Sequence, residues 1–174
     1  MSHVTTGVEY ALHSLVFLVS EEDNGRQATA KEIAEFQSIP TDFIAKIFTR
    51  LKKANLVLST EGVKGGFKLA KPAEEISVWD VVAAVDGEKP IFDCRNIRSK
   101  CLMFKGQPPK WATDGVCSIH AVMLEAETKM RAALKGHSLA DISRRVDGKA
   151  GHPVTEGFED WLSSNRRSPG QPVA

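Results

Sequence analysis

The sequence predicts a mainly α chain of 174 residues carrying one β-hairpin. Three observations lead there. Apolar residues recur at helical spacing through most of the chain. Two short helical segments meet at a tight turn, Ser38-Ile39-Pro40, and a glycine-punctuated pair of strands follows at 56–70. Two helices and a turn followed directly by a hairpin is the order of a winged helix-turn-helix.

The elements follow in sequence order. A first helix is expected over Thr6 to Ser20, with Val8, Ala11, Leu12, Leu15, Val16 and Val19 as its apolar stripe. Glu9 and His13 stack one turn apart just off that stripe. Glu21 to Gly25 is a polar break. Thr29 and Glu32 form a capping box that starts a second helix. Pro40 ends it, because the residue before a proline is pushed out of helical geometry. Thr41 is expected to cap a third helix with Phe43, Ile44, Ile47, Phe48 and Leu51 inward. Its other face carries Asp42, Lys46, Thr49, Arg50 and Lys53. Leu56 to Leu58 and Phe67 to Leu69 read as the two strands of a wing. Gly62, Gly65 and Gly66 between them supply the positive φ angles of a hairpin tip.

Ser77 and Asp80 open a short helix that Gly87 closes. Asp86 to Val116 shows no period, and unstructured loops beyond about 12–15 residues are uncommon unless they bind something or are disordered. A long helix is expected over Ser118 to Lys135, suited to packing against its copy in a dimer, and Ser138 begins another. Phe158, Trp161 and Leu162 suggest one or two amphipathic turns in a polar tail whose last ten residues are expected to be disordered. The expected organisation is a winged helix-turn-helix at 1–86 and a cysteine-bearing loop at 87–117. The dimerisation helix and a short helix occupy 118–147, and a partly disordered extension 148–174.

Composition narrows the classes. Hydrophobic residues make up 42% and charged residues 26%, an ordinary globular balance. No run approaches the roughly 20 apolar residues of a membrane span, and the start lacks the pattern of a signal peptide. A cytoplasmic protein is expected. Net charge is +1, yet Lys46, Arg50, Lys52, Lys53, Lys64, Lys68 and Lys71 cluster against only Asp42 and Glu61, a local basic patch of the kind that binds phosphates. Thr41, Lys46, Thr49 and Arg50 are candidates for the major groove, and Lys53, Lys64 and Lys68 for backbone phosphates of a DNA operator.

The three cysteines, Cys94, Cys101 and Cys117, all fall in the aperiodic loop and its end. An odd number in this setting argues for metal or redox chemistry over a disulfide framework. Taken alone, Glu9 and His13 read as a solvated pair at i,i+4, and a lone cysteine as a small buried hydrophobe. An enzyme using Cys117 and His120 as nucleophile and base is disfavoured, because residues three apart at a helix start rarely form such a pair and nothing resembles an oxyanion hole.

Several segments together resemble the Rrf-two family of winged-helix iron–sulfur transcription regulators. They are GVEYALHSL, IAEFQSIPTDFIAKIFTRLKKANLV and STEGVKGGFKLAKPAEEISVWDVVAAVDG, followed by the cysteine loop and the long helix, covering Thr6 to Val146. The resemblance implies a homodimer gripping a near-palindromic DNA site, with a [2Fe-2S] cluster near the interface that reports redox, nitrosative or iron–sulfur status. Two departures stand out. Six residues separate Cys94 from Cys101 and fifteen separate Cys101 from Cys117, wider than the compact three-cysteine arrangement, and the wing carries Glu61 where a basic residue is frequent. Such a cluster needs four protein ligands, and three thiols cannot supply them. Cys94, Cys101, Cys117 and His120 resemble one pattern in the family. Glu9 and His13 with Cys94 and Cys117 resemble the RsrR-like branch, where the first helix of one subunit meets the cysteines of the other. The second set is preferred, since two ligands one turn apart on a rigid helix can reach one iron. A clusterless thiol-based regulator of the same fold is the alternative.

Overall fold

The computed structural model describes residues 4–20, 26–62 and 65–167. These fall into two compact units, one formed by 1–87 with 134–174 and the other by 88–133. Lys64, the polar break at 21–25 and the tail beyond 167 lie outside the described residues.

The first unit begins with α1 (Thr6–Val16), α2 (Ala30–Gln37) and α3 (Thr41–Lys53). Ile44, Phe48 and Leu51 of α3 are fully buried and Ile47 nearly so, as its spacing predicts. Phe43 differs: it is 37% exposed, resting edge-on against Tyr10 of α1 at 5.4 Å. Pro40 takes the cap position of α3 and Thr41 is its first helical residue, so the expected Thr41 cap is not made.

α1 is a turn shorter than expected. It stops at Val16, and Leu18 and Val19 continue as tighter bonds to Leu15 and Val16. The physical reason is Arg26, whose guanidinium donates to the carbonyl oxygens of Phe17 at 3.1 Å and Val19 at 2.7 Å. A cation bonded to carbonyls left over at a helix end stabilises that end. The capping box of Thr29 and Glu32 forms as read.

The wing pairs β1 (Val57–Thr60) with β2 (Gly66–Leu69) antiparallel, Val57 opposite Leu69 and Thr60 opposite Gly66. Ala28 adds a third short rung, exchanging backbone hydrogen bonds with Phe67 at 3.1 and 2.8 Å. Gly66 permits this rung, since a Cβ there would lie 2.6 Å from the backbone of Ala28. Gly62 has the expected positive φ, and at Gly65 a Cβ would lie 2.5 Å from the Thr60 carbonyl oxygen, so close approach requires glycine there.

After a 3-10 turn at Ala73–Glu75 comes α4 (Val78–Asp86), closed by Gly87 at φ 80°. Within unit 88–133, two 3-10 turns (Ile97–Lys100 and Leu102–Phe104) and the short α5 (Lys110–Thr113) interrupt the expected loop. They lead to α6, which runs over Ser118–Lys135 as predicted and returns the chain to the first unit. There α7 (Leu139–Ala150) starts beside α4: Val78 N donates to His137 O and Leu139 N to Ile76 O, so two capping boxes, Ser77–Asp80 and Ser138–Asp141, sit side by side.

The extension departs most from expectation. In place of one or two turns, residues 154–167 form a continuous helix, α8 (Val154–Arg167). Phe158 is fully buried and Leu162 nearly so. Phe158 meets Phe17 at 5.1 Å and Phe36 at 4.9 Å between ring centroids, and Trp161 meets Phe36 at 5.3 Å. The polar composition of 148–174 hides this because three apolar side chains, not a long stripe, provide the attachment. Phe158→Ala is expected to lower stability by about 3 kcal/mol through a cavity in this aromatic cluster, read as a lower midpoint in denaturant at unchanged slope.

Candidate DNA interface and cluster-binding segment

α3 is held from behind and presents its polar face outward. Thr41, Lys46, Thr49, Arg50 and Lys53 are all exposed there. They are not equivalent. The Thr49 hydroxyl donates back to the Ala45 carbonyl at 2.8 Å. Arg50 donates through Nη1 to the carbonyl of Val85 at 2.6 Å, in the last turn of α4, so this side chain also ties α3 to α4. Lys52, which lay outside the expected contact set, donates to Ser59 Oγ at 3.0 Å and links α3 to the wing. Lys68 sits opposite Leu58 on β2.

α1 is fixed by its neighbours before it offers anything to a ligand. Asp86 at the end of α4 caps its start, accepting from Thr5 N at 2.8 Å and Thr5 Oγ1 at 2.6 Å. Gly7 lets α4 approach: a Cβ there would lie 3.3 Å from Val85. Glu9 and His13 are exposed, and neither side chain takes a hydrogen bond or ion pair with another described residue. They line an apolar groove of about 610 Å³ with Val8, Leu12 and Val16 of α1 and Ile142 and Val146 of α7.

The cysteine segment is described within its own unit. Arg131 of α6 pairs with Glu88 at 3.1 Å and Glu127 at 2.6 Å, and Glu127 accepts from Ile91 N at 3.2 Å. These bonds hold the stretch leading to Cys94 on α6. Arg98, between Cys94 and Cys101, donates to the carbonyls of Thr113 and Gly115, just ahead of Cys117. Cys117 is the last residue before α6. Its thiol is held below the ordinary cysteine range, first by the backbone N–H of His120 and then by that of Ile119, with the Arg98 charge adding to them against a desolvation cost. That is the usual effect of a helix N-terminus on a thiol, and it favours the thiolate that metal binding and redox chemistry need. Cys94 is half-buried, Cys101 exposed, and the imidazole of His120 lies 5.8 Å from the ring of Phe92. Among the described residues of one chain, no three His, Cys, Asp or Glu side chains converge as a metal site. Glu9 with His13, and Cys94 with Cys117, are carried by different units of the chain.

A helix-turn-helix with a three-rung wing and a basic exposed α3 defines the class: a winged-helix DNA-binding protein. Residues 4–145 match the family model of the Rrf2 iron-dependent transcriptional regulators, and the chain belongs to that family. It is 30% identical over 141 residues to the protein rrf2 of Nitratidesulfovibrio vulgaris, covering 81% of this chain and 87% of that one. It is 35% identical over 86 residues to the transcriptional regulator NsrR of Oceanobacillus iheyensis, covering 49% and 58%. The fold is shared with the global cysteine regulator CymR of B. subtilis, with a TM-score of 0.62, 16% identity and coverage of 83% and 98%. It is likewise shared with IscR of T. potens, with a TM-score of 0.62, 20% identity and coverage of 85% and 90%. The chain is thus a DNA-binding transcription regulator and not an enzyme. No helix among the described residues is long and apolar enough to cross a membrane.

Lys46→Ala is expected to weaken duplex binding and lower the dependence of log K on log salt by about one unit, as one lost phosphate contact would. Arg50→Ala should do the same and also loosen the α3–α4 junction, seen as a lower melting temperature that Lys46→Ala does not share. A salt slope equal to wild type in both variants would mean that another face of the protein meets the DNA.

Proposed function

We propose that this regulator acts as a homodimer in the cytoplasm and senses redox, nitrosative or iron–sulfur status through a [2Fe-2S] cluster. In this reading Glu9 and His13 of one subunit and Cys94 and Cys117 of the other hold the cluster, in the manner of the RsrR-like branch. One observation carries it: Glu9 and His13 are exposed one turn apart on a packed helix with no hydrogen-bond or ion-pair partner among the described residues, and the start of α6 holds the Cys117 thiol toward its thiolate. In this reading the centre is shared between two copies of the chain. Ile119 and Val122, each 63% exposed on α6, supply an apolar face for that copy.

The donor chemistry fits. Thiolates, an imidazole and a carboxylate are hard-to-soft ligands suited to iron, and α1 is capped and packed before it binds anything. When bound, such a cluster supplies one-electron chemistry and a centre that oxidants or nitric oxide can alter. The protein's part is mechanical. α1 packs on α3 and α4, so a displacement of Glu9 and His13 passes through the buried Ala11 and Leu15 to the recognition helix. Half-sites lie about 34–36 Å apart on DNA, so a change in the spacing of two α3 helices changes affinity.

A second reading has its own support. Cys101 is exposed and Cys117 is an acidified thiol, a pair suited to oxidation without any metal. Iron and sulfide analysis of protein purified without oxygen separates the two. The cluster reading expects both elements and a visible absorption that His13→Ala loses or shifts. Wild-type protein lacking iron and sulfide would leave the thiol reading, and an unchanged spectrum in His13→Ala would strike that residue from the ligand set.

A further inference from the structure

The family match ends at residue 145, and α8 lies beyond it, outside everything that DNA binding or sensing has required so far. Yet α8 is bound at three places to elements that pack against the recognition helix or lead into the wing. Its middle is buried against Phe17 and against Phe36 on α2. Glu159 accepts from Arg26 Nη2 at 2.8 Å, and the Arg26 side chain, only 10% exposed, also closes the end of α1. At the last turn, Arg166 grips Glu32 with a two-point fork, Nε to Oε1 at 2.6 Å and Nη2 to Oε2 at 3.0 Å.

The Glu32 contact has wider reach than a surface ion pair. The same carboxylate accepts from Thr29 N at 2.7 Å and completes the capping box of α2. Arg166 Nη2 also donates to the Gln27 carbonyl at 3.1 Å. Gln27 Oε1 accepts from the hydroxyl of Thr60, the last residue of β1, at 2.7 Å, and Ala28 next to it forms the third rung of the wing. One guanidinium therefore touches the start of α2 and the residue beside the wing's third rung.

We propose that α8 is a strap that fixes the first helix of the helix-turn-helix and the wing in the posture that fits a duplex, with Arg166 as its positioning residue. The inference rests on the DNA-binding reading and is independent of any cluster. Elements already held in the bound posture lose less conformational freedom on association, which strengthens binding without a new contact to the ligand. Arg166 is committed to Glu32 and Gln27, so it acts through them rather than on phosphate. The planar fork is specific to arginine, because a lysine ammonium is a point charge that cannot make the same two parallel bonds.

The test uses the full-length chain and a duplex that the wild-type protein itself selects from a random library. Duplex affinity is measured as a function of salt, and backbone hydrogen exchange is measured without DNA. Arg166→Ala is expected to weaken binding roughly three- to tenfold, leave the salt slope at its wild-type value, and speed exchange in the first turn of α2 and at Phe67. Arg166→Lys should recover only part of the affinity. Glu32→Gln keeps a side chain able to complete the capping box but removes the charge, so adding it to Arg166→Ala should cost little more. A salt slope lower by about one with wild-type exchange would make Arg166 a phosphate contact and overturn the proposal. Wild-type affinity together with wild-type exchange would make α8 a passive appendage and overturn it equally. A wild-type chain that enriches no duplex would count against the DNA-binding reading, and the exchange comparison would still decide whether Arg166 fixes α2 and the wing.

Discussion

Burial of one face of α3 locates nearly everything else in the DNA-binding unit. Ile44, Ile47, Phe48 and Leu51 are removed from water together, and α1, α2, α4 and β1 all pack on that helix. The ring of Phe48 meets Phe67 of the wing at 4.8 Å, so the wing is set by the same core. Four side chains of this size each contribute about 1.5–3 kcal/mol on burial, enough that the recognition helix cannot rotate without losing the core. Rigid presentation of Lys46 and Lys53 to solvent follows from this, since the apolar face of α3 leaves only one way for its basic face to point.

Around that core the unit is closed by hydrogen bonds at helix ends rather than by further apolar burial. Asp86 starts α1, Arg26 ends it, Arg50 ends α4, and Glu32 starts α2. Each satisfies backbone groups that a helix terminus leaves unpaired, and each joins elements distant in sequence. The result places function and architecture in the same side chains. Arg50 is a candidate for DNA and a brace for α4, and Glu32 is a helix cap and the anchor of α8.

The cysteine segment obeys different rules. It buries little: Arg98 ties its first 3-10 turn to the residues that end and follow α5, and Arg131 ties its start to α6, in place of a core. Leu102, Met103 and Trp111 stand 91%, 69% and 74% exposed. Its geometry is set by those side-chain hydrogen bonds and ion pairs rather than by apolar burial.

The sequence alone was enough to identify the helix-turn-helix, the capping box at Thr29, the helix starts at Ser77 and Ser138, the hairpin, and the bounds of α6. These depend on local periodicity, caps and turn residues, which act over a few neighbouring positions. The basic face of α3 and the cysteine grouping were legible for the same reason. The early end of α1 was not, because the cation that stops it, Arg26, sits ten residues beyond Val16. The steric need for Gly66 was hidden too, since the Ala28 backbone that crowds it comes from across the sheet. The double duty of Arg50 needed Val85 brought beside it, and α8 was missed because Phe158, Trp161 and Leu162 look like a marginal turn until Phe17 and Phe36 cover them. Only tertiary structure decides such features, since their energy comes from groups far apart in the chain that local spacing cannot bring into contact.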